Sequence, residues 1–278
     1  LVVFNLPAIN DSVFGNYSNK VEISFGFQLR KFNYLLSELS VELKDIHICD
    51  LAAIQSNMGM EKFLSTSMYF NNSMVLSLDV LPFVAKNTLD IISAGEGKFK
   101  KCLILDLDNT MWGGVIGDDG VENIQIGSLG IGKAFTELQS WAKELKNRGI
   151  ILAVCSKNTE SIAKEPFEVH PDMVLRLEDF AVFVANWENK ADNIRYIQRV
   201  LNIGFDSMVF LDDNPFERNI VRENLPDVVV PELPEDPAEY LSFLRGQNLF
   251  ETMSFSLEDK ERTKKYQVEA KRVESQEK

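Results

Sequence analysis

Apolar and polar positions follow two rhythms along this chain. Apolar runs end abruptly at polar residues at 102–105, 150–155, 180–185 and 208–211. Unbroken runs of this length suit strands buried on both faces of a parallel sheet. Helical spacing fills the intervals. Ile131, Ala134, Phe135, Leu138, Trp141, Ala142 and Leu145 mark one apolar face, which Gly149 closes. Lys190 opens a second helix, with Ile194, Ile197 and Leu201 on its face and Gly204 after it. A short helix from about Phe216 and a strand at 228–230 complete the pattern, and the stretch through Glu165-Pro166 and His170-Pro171 reads as a polar connection. Strands alternating with helices predict right-handed crossovers and a doubly wound, largely parallel α/β sheet.

Residues 1–98 read as a smaller α/β segment. It has strands at 1–6 and 45–50, a helix at 27–43 carrying Leu29, Phe32, Leu35, Leu36, Leu39 and Leu43, and another helix at 80–92. No site is evident there. His47 lies between Ile46 and Ile48 without a surrounding ligand cluster and reads as structural. Ser77 and Asp79 have no His to pair with. The GEGK string at 95–98 lacks the longer glycine-framed loop of a P-loop and reads as a linker. Residues 251–278 form a charged helical tail with Glu258/Arg262 and Glu261/Lys265 at i,i+4 spacing. Domain boundaries are therefore expected at 1–98, 99–250 and 251–278.

Composition narrows the function class. The net charge of −13 disfavours nucleic acid, whose phosphates are held by clustered Lys and Arg, and anionic membrane surfaces. Three cysteines, Cys49, Cys102 and Cys155, have no metal-like spacing and point to a reducing compartment, the cytoplasm. No signal peptide and no membrane-length apolar run is present. The chain starts at Leu1 and reads as a piece of a longer protein.

Chemistry concentrates where apolar runs stop. Asp106 and Asp108 follow the first run, Ser156 the second, Lys190 stands beyond the third, and Asp212 and Asp213 follow the fourth. In a parallel sheet these carboxyl ends converge on one edge, where open α/β folds bind ligands. Like charges repel there by roughly 4 kcal/mol per pair at 4 Å and an effective dielectric near 20, so such a cluster requires protons or a cation. Few hard oxygen ligands, with room for water and phosphate, describe Mg²⁺. A phosphoryl-transfer reading uses every part. Asp106 is the nucleophile that forms an aspartyl-phosphate, and Asp108 is the acid and base. The metal is expected at Asp106, Asp212, Asp213 and, through its backbone carbonyl, Asp108. Ser156, Lys190, Thr110 and Asn109 surround the phosphate, Thr110 also ordering the turn. Trp112 and Trp187 flank these motifs within reach of a ligand, with packing the favoured fate for Trp187. Cys155 precedes Ser156. Strand alternation turns it toward the core if Ser156 faces the phosphate, so a buried thiol is the favoured reading and a covalent acyl role the other.

DLDNT, Ser156, Lys190 and LDDN resemble, in order, the four motifs of the haloacid dehalogenase superfamily. The longer strings DLDNTMWGGVIGDDG, AVCSKN, FVANWENKADN and FLDDNPFERNIV resemble its FkbH-like branch. The resemblance spans about 101–250. It implies a Rossmann-like core with a minimal cap, a small hairpin flap at 112–127. It also implies dephosphorylation of 1,3-bisphosphoglycerate and loading of the glyceryl unit on an acyl carrier protein, as in methoxymalonyl-type polyketide biosynthesis. Residues 1–98 are similar, more weakly, to the end of an SGNH-hydrolase-like domain, without its Gly-Asp-Ser block or partner His. A phosphatase of another small phosphorylated metabolite and a non-catalytic scaffold on the same fold are the alternatives.

Overall fold

A computed structural model describes residues 1–255 and positions 265, 266 and 268. The tail expected from 251 lies, beyond 255, almost wholly outside the described residues. The chain divides into two compact units, with residues 99–250 in one and Leu1–Lys98 with Glu251–Met253 in the other.

In the first unit, β1 (Val2–Phe4) pairs in parallel with β2 (His47–Cys49) after the crossover helix α1 (Phe25–Glu42). Ser24 caps α1 by accepting the Phe27 N–H at 3.3 Å. Helices α2 (Leu51–Met58), α3 (Met60–Phe63), α4 (Thr66–Asn72) and α5 (Leu81–Gly95) follow. Cys49, Leu51, Ile54, Phe63, Val80 and Ile91 form a small core. The apolar stripe of α1 is not the buried face that its spacing predicts. Leu29 is buried, but Phe32, Leu35, Leu39 and Leu43 are exposed, because a two-stranded sheet three residues deep covers little of an 18-residue helix. Ser77 Oγ donates to Lys62 O at 2.5 Å, and His47 is half-buried in β2.

The second unit is a four-stranded parallel sheet built from β3 (Cys102–Leu105), β4 (Ile151–Ser156), β5 (Phe180–Ala185) and β6 (Met208–Leu211), in the order β5-β4-β3-β6. Its helices are α6 (Ile116–Asp119), α7 (Gly130–Arg148), α8 (Glu160–Val169), α9 (Lys190–Leu201), α10 (Pro215–Asn224) and α11 (Tyr240–Gly246). Alternation splits the core between two sheet faces. Leu103, Leu105, Leu152, Val154, Val209 and Leu211 pack with α7, α8 and α11, and Cys102, Ile104, Ala153, Cys155 and Phe210 pack with α9 and α10. Gly149 ends α7 with a φ of +105°, a left-handed cap that a side chain would strain.

Three expectations change. The polar connection after β4 is largely the helix α8. Pro166 removes one N–H, but Ala163, Pro166 and Phe167 bury one side of the helix, and Phe167 stacks edge-on with Trp112, Phe180 and Phe183 at 5.2–5.8 Å. The strand at 228–230 reduces to one bridge between Val209 and Val229. The flap at 112–127 holds a single antiparallel bridge, Gly113–Gln125, and the short α6, and its Trp112, Ile116 and Ile124 are buried in the core.

Candidate active site

The strand order sets the place. The chain leaves β3 for β4 and β5, then crosses to β6 on the other side of β3, so the carboxyl end of β3 is the topological switch point. Asp106 stands there, its N–H donating to Leu211 O at 2.9 Å as the last rung of the β3–β6 ladder. Asp212 and Asp213 follow β6. Oxygens of Asp106, Asp212 and Asp213 lie within 4.8 Å of one another, with the first two buried.

Lys190, the first residue of α9, is 2% exposed. Its Nζ lies 2.9 Å from Asp106 Oδ1 and 2.5 Å from Asp212 Oδ2. Asn189 caps α9 and aims this first residue inward, and Asn186 and Asn193 exchange paired amide bonds at 2.7 and 3.1 Å that hold the preceding loop. Burial would depress the ammonium pKa, but Asp106 and Asp212 outweigh it and hold Lys190 above its usual range. Burial, then the charge of Asp106, raises Asp212 and pushes Asp213 up to about 6. One ammonium thus faces three carboxylates. The uncompensated charge and the hard oxygen donors fit a small divalent cation.

Asp108 is turned aside from this trio. Its Oδ1 accepts Trp112 Nε1 at 3.1 Å and Ile116 N at 2.9 Å, and its Oδ2 accepts Asn158 Nδ2 at 3.0 Å. Burial foremost raises its pKa. Asn109 takes a φ of +54°, which Asn tolerates, and its Oδ1 accepts Gly114 N at 3.0 Å. Thr110 Oγ1 accepts Asp213 N at 3.1 Å, tying the β3 turn to the β6 turn. Ser156 is buried at the end of β4. Cys155 packs on the opposite face, its Sγ donating to Lys190 O at 3.7 Å, and burial pushes its thiol pKa far up.

Of the residues that hold the site, Asn158 and Arg218 were not singled out in the sequence, and Trp112 was singled out only as a residue within reach of a ligand. Asn158 and Trp112 position Asp108. Arg218 donates to Asp212 O at 2.9 Å and Asp213 O at 2.6 Å, fixing the loop between β6 and α10. Their signal was proximity in the chain to motif residues. The two tryptophans divide. Trp112 is fully buried, whereas Trp187, expected to pack, is 73% exposed because it sits at the tip of the β5–α9 loop.

A family model described as FkbH, N-terminal domain, matches residues 1–93. A crystal structure of the N-terminal part of a Bacteroides fragilis protein, containing a phosphatase domain and complexed with Mg, is 64% identical, with a TM-score of 0.90. The alignment covers 91% of this chain and 68% of that one. No curated protein matches the chain.

Proposed function

The chain belongs to the FkbH-like branch of the haloacid dehalogenase superfamily, and on that premise we propose that it is a Mg²⁺-dependent phosphatase working through Asp106. The observation that carries this reading is Lys190 wedged between Asp106 and Asp212, with Asp213 in the same carboxylate trio. Asp106, Asp212 and Asp213, with the backbone carbonyl at Asp108, would hold Mg²⁺, which supplies charge neutralisation and Lewis acidity toward a phosphoryl oxygen.

Asp106 attacks phosphorus and the P–O bond to the leaving group breaks, giving an aspartyl-phosphate. Asp108 gives its proton to the departing oxygen, then takes one from the water that hydrolyses the intermediate and frees phosphate. Ser156 and Lys190 bind phosphoryl oxygens. Thr110 and Asn109 order the turn that carries both aspartates.

The finer reading is that the substrate is 1,3-bisphosphoglycerate and that its glyceryl unit is loaded on an acyl carrier protein. Its two phosphates then have different fates. A thioester forms only if the carrier thiol attacks the acyl carbon, so that the C–O bond breaks and phosphate leaves. The chemistry of Asp106 removes the other phosphate, a monoester whose alkoxide requires the proton of Asp108. No large cap domain stands between Ser156 and Lys190, which leaves access for a carrier arm. Cys155 has no acyl role in this reading, because its thiol is sealed in the α9 face of the sheet. A scaffold role would leave the trio of like charges without a purpose.

The test is to incubate the protein with Mg²⁺, 1,3-bisphosphoglycerate and a phosphopantetheinylated carrier protein, and to weigh both proteins intact. A glyceryl-sized gain on the carrier, absent with Asp106→Asn, supports loading. Phosphate release without that gain leaves a phosphatase of a small metabolite.

A further inference from the structure

We propose that Lys157, braced by Glu217, is the specificity residue that reads a second anionic group on the substrate, an inference that rests on the phosphatase reading above. Lys157 sits between two site residues, since Ser156 precedes it and Asn158, bonded to Asp108 at 3.0 Å, follows it. Its Nζ lies 2.7 Å from Glu217 Oε1 in the first turn of α10. Because β4 and β6 flank β3, this ion pair bridges the two loops on either side of the strand that ends at Asp106.

The pair is asymmetric. Glu217 is 6% exposed, while the Lys157 side chain is 34% exposed. Among the described residues Glu217 Oε2 is buried with no hydrogen-bond partner, so Lys157 supplies the ion pair that offsets the cost of burying this carboxylate. An ammonium has three donors. One is used behind, on Glu217, and the solvent-facing side remains available to a ligand.

Charge makes the assignment specific. Lys190 is buried between two carboxylates and does not reach a distal group. Asp106, Asp108, Asp212 and Asp213 give this edge a negative field that repels a doubly anionic substrate. Lys157 is a half-exposed cation that stands in the chain between Ser156 and Asn158 and is held to α10, the helix that follows Asp212 and Asp213. A ligand that carries phosphate at one end and carboxylate or acyl phosphate at the other would meet it with its second charge.

The matched probes are glycerol 3-phosphate and 3-phosphoglycerate, which differ by one carboxylate. Phosphate release with Mg²⁺ is measured for the wild type, Lys157→Gln and Lys157→Arg. The wild type is expected to prefer 3-phosphoglycerate through KM. Lys157→Gln lowers that preference at least tenfold, and Lys157→Arg keeps most of it. Equal loss on both probes, or none on either, overturns the assignment while the phosphatase reading stands. A wild type that releases phosphate from neither probe also overturns the assignment, while the phosphatase reading is decided separately by the phosphoryl group on Asp106. Thermal melts of both variants separate a folding defect from lost recognition, since a folding defect lowers turnover of the two probes together.

Discussion

Trp112 Nε1 donates to Asp108 Oδ1 at 3.1 Å, so the flap after β3 is fastened to the carboxylate assigned as acid and base. The indole is also stacked on Phe167 of α8 at 5.6 Å, which transmits core packing to that carboxylate. Trp112→Phe keeps the ring and removes the donor. A hydrogen bond to a charged group contributes about 1.5–3 kcal/mol, so steady-state kinetics should show kcat falling roughly tenfold or more, with KM little changed. An unchanged kcat would detach the flap from catalysis.

Lys190→Met removes the cation from a buried group of like charges. Breaking a buried pair on one side costs about 3–5 kcal/mol, and thermal melting without metal should show that loss. Mg²⁺ should then raise the Tm of the variant more than that of the wild type, because the freed carboxylates have lost their nearest counter-charge. Equal metal shifts in both proteins would show that the trio is not where the cation acts.

Asp179 predicts the acid limb of stability. It is buried, its Oδ2 2.6 Å from Lys143 and its Oδ1 3.0 Å from Lys146, and it also accepts Arg176 N at 2.8 Å. Burial would raise its pKa. The bonds from Lys143, Arg176 and Lys146 outweigh that and hold it below the usual carboxylate range. A depressed folded pKa stabilises the protein above the unfolded value near 3.9, and that contribution is lost as pH falls through the folded value. Asp179→Asn should therefore cost about 2 kcal/mol at neutral pH, and urea unfolding should show the difference shrinking below about pH 4. A constant difference across pH would contradict this.

All three cysteines are buried. Cys155→Ala should retain phosphate release at a cost of about 1 kcal/mol in stability, and a thiol reagent should label the protein only on unfolding. Rapid labelling of native Cys155, or loss of acyl transfer in the variant, would restore the covalent reading.

Much of the fold was legible because β3, β5 and β6 are buried on both faces, which leaves unbroken apolar runs that stop at Asp106, Asn186 and Asp212. The same stops displayed the carboxylates that the structure gathers. What stayed hidden depends on contacts between distant segments. Pro166 reads as a helix breaker until Phe167 is seen packed against Phe180 and Phe183. Asn158 and Asp108 are 50 positions apart, and no local pattern announces their bond. The stripe on α1 has helical spacing whether or not a neighbour covers it, so its exposure was invisible.

The most direct measurement is an acid-quenched reaction of the protein with Mg²⁺ and a small phosphorylated substrate, followed by peptide mass analysis. The account predicts a phosphate-sized gain on the peptide that bears Asp106, and no gain and no phosphate release from Asp106→Asn. Phosphate release that persists in Asp106→Asn would contradict it.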